Sequence, residues 1–310
     1  MLISVCIPCY KSILTLERVV DDIKNEFDKH EEYEYQIILV NDGSPDNTFD
    51  VIKKICAEDK NIVGVNLSKN SGQASARLAA LQYVRGEIVV YMDDDGQHPA
   101  YGIFKLADKL REGYDVVYAR FSGRKHSGFK KVTSKLKKKL AEFMGTKPKG
   151  IDTSPFAAWS LTAVNAVKQY KSPFPSTGSY LRCITSKFAN VDVEHRKRIA
   201  GKSGYNIKKL FGLWMTGLTN FSIAPLRIAS FCGVACAAIG FMGGIYVVIK
   251  KILNPDMAAG YASTITIVLF VGGMIMMMLG LIGEYIGRMY MILSNKPQYF
   301  ISEAVNDGEK

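Results

Sequence analysis

The sequence predicts an α/β domain with a parallel sheet, carried on two membrane-spanning helices, and three observations point there. From Met1 to about Phe121, short β-branched runs alternate with helical stretches, the pattern of parallel strands joined by crossover helices. Residues 228–249 and 257–283 contain no charged side chain, and both runs lie in the last third of the chain. No Gly-x-Gly-x-x-Gly follows the first strand-like run, which disfavours a dinucleotide-binding fold.

The strands read in order as LISVCIP (2–8), YQIILVND (35–42), IVGVNL (62–67), EIVVYMD (87–93) and YDVVYAR (114–120). Between them, 14–29, 47–58, 71–84 and 99–111 read as helices, with Asp46 and Ser71 as N-caps and Pro99 in a first turn. A hydrophobic share of 48% excludes a disordered chain. The start MLISVCIPCY lacks a basic leader and meets Lys11, so it does not read as a signal peptide. The six cysteines, of which Cys6 and Cys9 stand at CxxC spacing inside a strand-like run, fit a reducing compartment.

Beyond Arg120 the composition turns basic. Residues 120–210 hold 21 Lys and Arg against 4 Asp and Glu, in a chain of net charge +11, so the positive charge is local. In KHSGFKKVTSKLKKKLAEFM, the apolar residues Phe129, Val132, Leu136, Leu140 and Phe143 recur at spacings of three and four beneath a lysine-rich face. Such a helix suits an anionic membrane surface, and equally a solvated face on the protein's own core. A second apolar face, Ile207, Leu210, Phe211, Trp214, Leu218 and Phe221, comes just before the first span, where Trp214 would settle at the headgroups.

The expected organisation is therefore an α/β domain over 1–205 and a juxtamembrane amphipathic helix over 206–224. A two-span anchor over 225–290 follows (about 228–249 and 259–283), and then a cytoplasmic tail over 291–310. The two charge-free runs would rise roughly 33 and 40 Å against a hydrocarbon core of ~30 Å, so both can cross. The Lys/Arg excess before the first span, with Arg288 and Lys296 after the second, places both termini and the α/β domain on the cytoplasmic side of the cell's inner membrane. Gly240/Gly244 and Gly283/Gly287 have the spacing that lets helices approach, which leaves room for a homo-oligomer.

In parallel sheets ligands bind beyond the carboxyl ends of the strands. Three such ends carry polar groups: Pro8-Cys9-Tyr10, Asn41-Asp42-Gly43-Ser44 and Asp93-Asp94-Asp95-Gly96-Gln97. Three successive carboxylates repel one another, and only a bound cation or a row of donors makes them tolerable. In an extended chain Asp93, Asp95 and Gln97 would point one way as hard oxygen ligands for Mg²⁺ or Mn²⁺, and Asp94 the other. His98 and His195 read as hydrogen-bonding surface residues, and Trp159 as packing either beneath the site or in the core.

The ordered series PCYKS, VNDGSPDNT, NSGQASARLAAL and MDDDGQHP, followed by two spans, resembles glycosyltransferase family 2 over the whole chain. Within it, the polyprenyl-phosphate glycosyltransferases are the nearest group, with bactoprenol glycosyltransferases and dolichol-phosphate mannose synthases as close relations. The resemblance implies a GT-A, Rossmann-like, nucleotide-sugar-binding fold and an inverting transferase, important to the cell envelope, that moves a sugar from a nucleotide diphosphate, a UDP-sugar being expected, to a polyprenyl (undecaprenyl) phosphate. It implies that Asp42 accepts from the nucleobase, with Pro8 and Tyr10 lining the pocket. Asp93 and Asp94 would serve the nucleotide, and Asp93, Asp95 and Gln97 match the metal-binding D-x-D-x-Q positions. The HRKRIAGKSGY stretch resembles the family's R-x-x-G-x-S-K-Y segment, so Arg198, Gly201, Ser203 and Tyr205 match a loop expected to give donors to the diphosphate or the lipid phosphate; Arg196 and Lys202 of the same stretch are further candidates there, and Arg198 aids departure of the diphosphate. Arg120 and Ser134 lie where relatives contact the acceptor phosphate. The partners implied are a nucleotide sugar, polyprenyl phosphate and an anionic membrane surface, with no nucleic acid.

There are departures. Gly204 stands where relatives have Lys, Gly96 where an apolar residue is usual, and the D-F-R-L segment appears as Ser154-Pro155-Phe156-Ala157-Ala158, so the acid credited as catalytic base is missing and Asp152 is the nearest candidate. A phosphate acceptor softens that loss, because with a second pKa of about 6 its oxygen is largely anionic at neutral pH. A hydroxyl acceptor would need a positioned base. Two rivals stand beside this reading. A polysaccharide-elongating transferase would act on a saccharide hydroxyl, but no QxxRW segment is found; a non-catalytic membrane scaffold or lipid carrier leaves the acid cluster unexplained.

Overall fold

The structure is a computed structural model, in which residues 1–122, 148, 150–173, 177–194, 224–254, 260–294 and 296–308 are described. Both predicted amphipathic helices lie outside the described residues.

The expected alternation is present. Strand β1 (Leu2–Cys9) leads through helix α1 (Leu16–Phe27), β2 (Glu34–Asn41), α2 (Thr48–Glu58), β3 (Ile62–Leu67), α3 (Gln73–Leu81), β4 (Ile88–Tyr91) and α4 (Gly102–Arg111) to β5 (Val116–Ser122). Then come β6 (Ala157–Ser160), α5 (Leu161–Lys168), α6 (Thr177–Ile184) and β7 (Phe188–Glu194). Helices α7 (Ala224–Leu253) and α8 (Tyr261–Leu293) precede a last strand, β8 (Ile301–Val305). The strands form one sheet in the order β7-β5-β6-β4-β1-β2-β3-β8.

The sheet is mixed, which the sequence reading did not anticipate. Strands β1 to β4 are mutually parallel, but β6 enters antiparallel between β4 and β5, and β8 runs antiparallel along β3. Parallel strands covered on both faces read as continuous apolar runs, and β1 and β2 do so. Ile3, Val5, Ile7, Ile37 and Leu39 pack beneath α1, α2 and α4, whereas Cys6, Ile38 and Val40 face α3, α5 and α6. The strand ends are thereby held between two helical layers.

Three local expectations are corrected. Helix α3 starts at Gln73 after Gly72, whose φ of +89° suits glycine, so Ser71 is not its N-cap. Asp46 lies one residue before the α2 cap position, Asn47, yet its carboxylate accepts from the Thr48 amide and hydroxyl at 3.3 and 2.6 Å. The segment expected as a tail, 291–310, is instead divided: α8 continues to Leu293, and Asn295–Lys310 belongs with Met1–Leu210 to one compact unit. There β8 pairs with β3, and the Asn306 amide donates to the Cys56 and Ile62 carbonyls at 2.5 and 3.0 Å.

The second unit, Phe211–Ser294, contains α7 and α8. Both are long and apolar enough to cross a membrane, over Ala229–Lys250 and Phe270–Leu293. Helix α8 continues well past the expected end of its span, and Arg288 pairs with Glu284 one turn before it at 2.5 Å. Gly240, Gly244, Gly283 and Gly287 face open space; the close approach is at Gly233, where an added Cβ would lie 2.8 Å from Met278 Cε.

Candidate active site

The ends of β1, β2 and β4 converge. At the end of β2, Asp42 is 4% exposed, and its carboxylate accepts from the Ser71 amide at 2.7 Å, just before α3. Burial pushes its pKa up, while the Ser71 and Gly72 amides pull it down; the net direction is upward. Gly43 follows with φ +56°, and a Cβ there would lie 2.2 Å from the Lys69 carbonyl carbon, so only glycine lets the turn pass. At the end of β1, Pro8 is buried and Tyr10 exposed. Lys11, at φ +58°, donates its amide to Ser44 Oγ at 2.6 Å, which ties the β1 turn to the β2 turn.

The acid triplet resolves differently from its expected alternation. Strand β4 stops at Tyr91, residues 94–95 turn, and Gly96 sits at φ +71°, so a period of two does not apply. The glycine that departs from the family pattern is the one this turn needs. Asp93 Oδ1 accepts from Gln73 Nε2 at 2.6 Å and Arg77 Nη2 at 3.1 Å, both on α3. Asp94 Oδ2 accepts from the Tyr10 amide at 3.2 Å and from the Ser12 hydroxyl. Asp95 Oδ1 accepts from the Gln97 amide at 3.0 Å. A row of donors makes the cluster tolerable. Burial nonetheless pushes the Asp94 carboxyl up to about 6, with the neighbouring Asp93 charge adding to it against Ser12 and Tyr10.

His98 is not the surface residue expected. It is 6% exposed and stacked between Phe156 and Phe121, at 4.9 and 5.6 Å, and its Nδ1 accepts from the Asp93 amide at 2.9 Å. That bond makes Nε2 the protonated nitrogen of the neutral ring, and Nε2 lies 3.9 Å from Asp93 Oδ2.

The donor chemistry fits a hard divalent cation shared with phosphate. Such an ion needs one or two carboxylates, its other ligands being phosphate oxygens and water. Asp93 and Asp95 are the carboxylates available, and the Cys6 and Cys9 thiols are buried with pKa values pushed up, so soft ligation does not compete. Among the described residues no three His, Cys, Asp or Glu side chains gather as a metal cage.

On the other half of the sheet, Arg120 on β5 pairs in register with Asp192 on β7, through Nε and Nη2 at 2.6 and 2.7 Å. Asp152 exchanges backbone bonds with the Asn190 side chain, which also reaches the Tyr118 carbonyl. Arg77 links the halves, since its Nη2 also donates to the Pro155 carbonyl at 3.2 Å. Ser134, Arg196, Arg198, Gly201, Lys202, Ser203 and Tyr205 lie outside the described residues. Gln73, Arg77, Ser12 and Asp192 went unnoticed in the sequence. A signal existed for the first two: on a helix, residues four apart share a face.

The fold and site define a GT-A transferase: a mixed α/β sheet with acidic turns at the ends of β2 and β4. The family model "Glycosyl transferase family 2" matches residues 4–167, and "GtrB C-terminal hairpin" matches residues 224–289. The chain belongs to glycosyl transferase family 2 and is a glycosyltransferase. It is 30% identical to the SfII prophage-derived bactoprenol glucosyl transferase of Shigella flexneri, over 98% of each chain. It is 31% identical to the undecaprenyl-phosphate 4-deoxy-4-formamido-L-arabinose transferase of Aeromonas hydrophila, over 99% of this chain and 95% of that one. In fold it is similar to glucosyl-3-phosphoglycerate synthase of Mycobacterium tuberculosis, with a TM-score of 0.51 and 20% identity, over 71% and 79% of the two chains.

Proposed function

We propose that the chain is a membrane-anchored inverting glycosyltransferase that moves a sugar from a nucleotide diphosphate, a UDP-sugar being expected, to a polyprenyl phosphate at the cytoplasmic leaflet. The observation that carries this reading is Asp93, held by Gln73 and Arg77 past the end of β4 and next to Asp94, in a chain whose two apolar helices can cross a membrane. The kinship with transferases named for bactoprenol and undecaprenyl phosphate supports the acceptor.

Asp42 accepts from the nucleobase, and Pro8 and Tyr10 line its pocket. Asp93 and Asp94 set the pyrophosphate's position, and Asp93, Asp95 and Gln97 hold Mg²⁺ or Mn²⁺, which when bound neutralises charge on the departing diphosphate. A phosphate oxygen of the acceptor attacks the anomeric carbon, the bond from that carbon to the diphosphate oxygen breaks, and the nucleoside diphosphate leaves with the bonding pair. Arg196, Arg198, Lys202, Ser203 and Tyr205 steady the phosphates, and Arg120 and Ser134 meet the acceptor. Because the attacking oxygen is already anionic, Asp152 has little proton to remove. The lysine-rich helix draws the domain to anionic lipid.

The test incubates membranes containing the protein with labelled nucleotide sugars and polyprenyl phosphate. Label in the organic phase, lost with excess EDTA, is the expected result; no labelled lipid from any donor rejects the acceptor, and transfer unaffected by EDTA rejects the metal.

A further inference from the structure

Away from the acid cluster, a second cavity of about 430 Å³ is walled by the end of α3, the end of α5 and the segment 296–299 that follows α8. All of its walls belong to the compact unit Met1–Leu210 with Asn295–Lys310. Three lysines line it, Lys168, Lys171 and Lys296, and no Asp or Glu does. Among the described residues none of these three has a carboxylate partner, whereas Lys24, Lys53, Lys54 and Lys109 elsewhere in the unit each have one.

The surrounding bonds hold the lysines together. The Gln298 side-chain amide donates to the Ser172 carbonyl and, at 3.4 Å, to the Tyr170 carbonyl, which joins the segment after α8 to the loop after α5. Lys171 and Lys296, remote in sequence, are thereby kept on one rim. The other titratable groups of the wall are Tyr170 and Tyr299. Tyr170 packs on the Tyr180 ring at 4.5 Å, and burial pushes the pKa of both wall tyrosines up, so they stay neutral and leave the lysine charge uncompensated.

Three like charges around one cavity repel, and an anion relieves them. Ammonium groups are strong partners for phosphate oxygens, and the volume lies in the range that takes a small organic group. Chain length decides the source of that anion. Lys296 lies three residues after Leu293, where the second apolar span ends, so at most about 11 Å of extended chain separates them. That distance is about one Debye length at physiological ionic strength, within which a lysine feels the charge of a leaflet.

We propose that this cavity binds the phosphodiester headgroup of an anionic phospholipid, clasped by Lys168, Lys171 and Lys296. The proposal rests on the reading of α7 and α8 as membrane spans with the α/β domain at the cytoplasmic leaflet, and it adds a discrete lipid site to that reading.

The test titrates the full chain, purified in a neutral detergent, with phosphatidylglycerol and with phosphatidylcholine, and native mass spectrometry counts the lipid retained per chain. The tightest phosphatidylglycerol is expected to bind at least about tenfold better than phosphatidylcholine, and less well as salt rises. Lys168→Gln, Lys171→Gln and Lys296→Gln together should lower that affinity at least about tenfold. Lys168→Arg, Lys171→Arg and Lys296→Arg keep the charge and should keep the lipid, which separates a lost site from a damaged fold. Lys53→Gln, Lys54→Gln and Lys109→Gln remove as much charge elsewhere and should change nothing. Equal affinity for the two lipids, or an affinity that the first set leaves unmoved or that the last set lowers as much, overturns the inference. Displacement of the lipid by equimolar inorganic phosphate assigns the cavity to a free anion and overturns it as well. Selective headgroup binding in a chain that forms no labelled lipid from any nucleotide sugar keeps the inference and rejects the acceptor reading. Normal transfer without selective headgroup binding does the reverse.

Discussion

Two carboxylate–arginine pairs in this sheet invert the order that geometry alone would give. Arg120 and Asp192 meet in a bidentate clasp at 2.6 and 2.7 Å, but their side chains are 52% and 55% exposed. Arg77 and Asp93 share one longer contact of 3.1 Å, at 15% and 21% exposure. Arg120 holds the Asp192 carboxyl below the usual carboxylate range, yet in water that preference is heavily screened. Solvent can replace Arg120 as a partner for Asp192; for Asp93 the replacements are few. Burial, more than bond length, decides which pair is indispensable.

The largest effect that would sharpen this contrast is expected at Asp93 itself. Asp93→Ala should lower the rate of transfer about a thousandfold or more while the protein stays folded in the membrane, and Asp95→Ala should do nearly as much. Arg77→Met comes next. It leaves Asp93 partly buried with one partner fewer, so stability should fall by about 2 kcal/mol and turnover by roughly a hundredfold. A melting temperature equal to wild type in that variant would break the comparison at its stronger side.

Asp42 separates stability from binding. Its raised pKa means that the folded chain binds this proton more readily than the unfolded one. The charged form is therefore a cost, incurred as pH rises from the ordinary carboxylate range through the raised pKa and relieved on acidification. Asp42→Asn can still accept from the Ser71 amide and should leave thermal stability equal or higher. Nucleotide affinity should nevertheless drop about tenfold, because the neutral amide is a weaker acceptor for the base. In the wild type, nucleotide affinity should begin to fall on acidification at a higher pH than an ordinary carboxylate would give; titration at several pH values checks the sign.

Smaller changes belong to the exposed half. Asp152→Asn should slow transfer only a few fold, and complete loss with nucleotide binding intact would make it an essential group. Asp192→Asn should leave the melting temperature unmoved and change the KM for the lipid acceptor by less than about twofold. A large rise in that KM would mean that Asp192 holds Arg120 in position, and the exposed pair would then rank beside the buried one.

The parallel half of the domain was legible because each element carries its own period. The continuous apolar runs of β1 and β2 and the 3.6-residue pattern of α1 need no distant partner to be recognised. Strand β6 carried no such sign: Ala157 to Ser160 is short, follows a proline, and becomes a strand only because β4 and β5 offer their edges. Strand β8 was hidden for a related reason, since the chain reaches it only after α7 and α8. His98 was misread because its burial comes from Phe121 and Phe156, which are remote in sequence.

What the sequence by itself determined is the order of helices and strands through β5, the two apolar helices long enough to cross a membrane, and the acidic turns at the ends of β2 and β4, all properties of local runs. Tertiary structure decided how those acids are tolerated. Asp93 is held from α3, Asp94 from the β1 turn and Asp42 from the turn before α3, contacts spanning 16 to 84 positions along the chain. A hydrogen bond depends on distances of a few tenths of an ångström, and only the folded sheet brings such remote donors within reach.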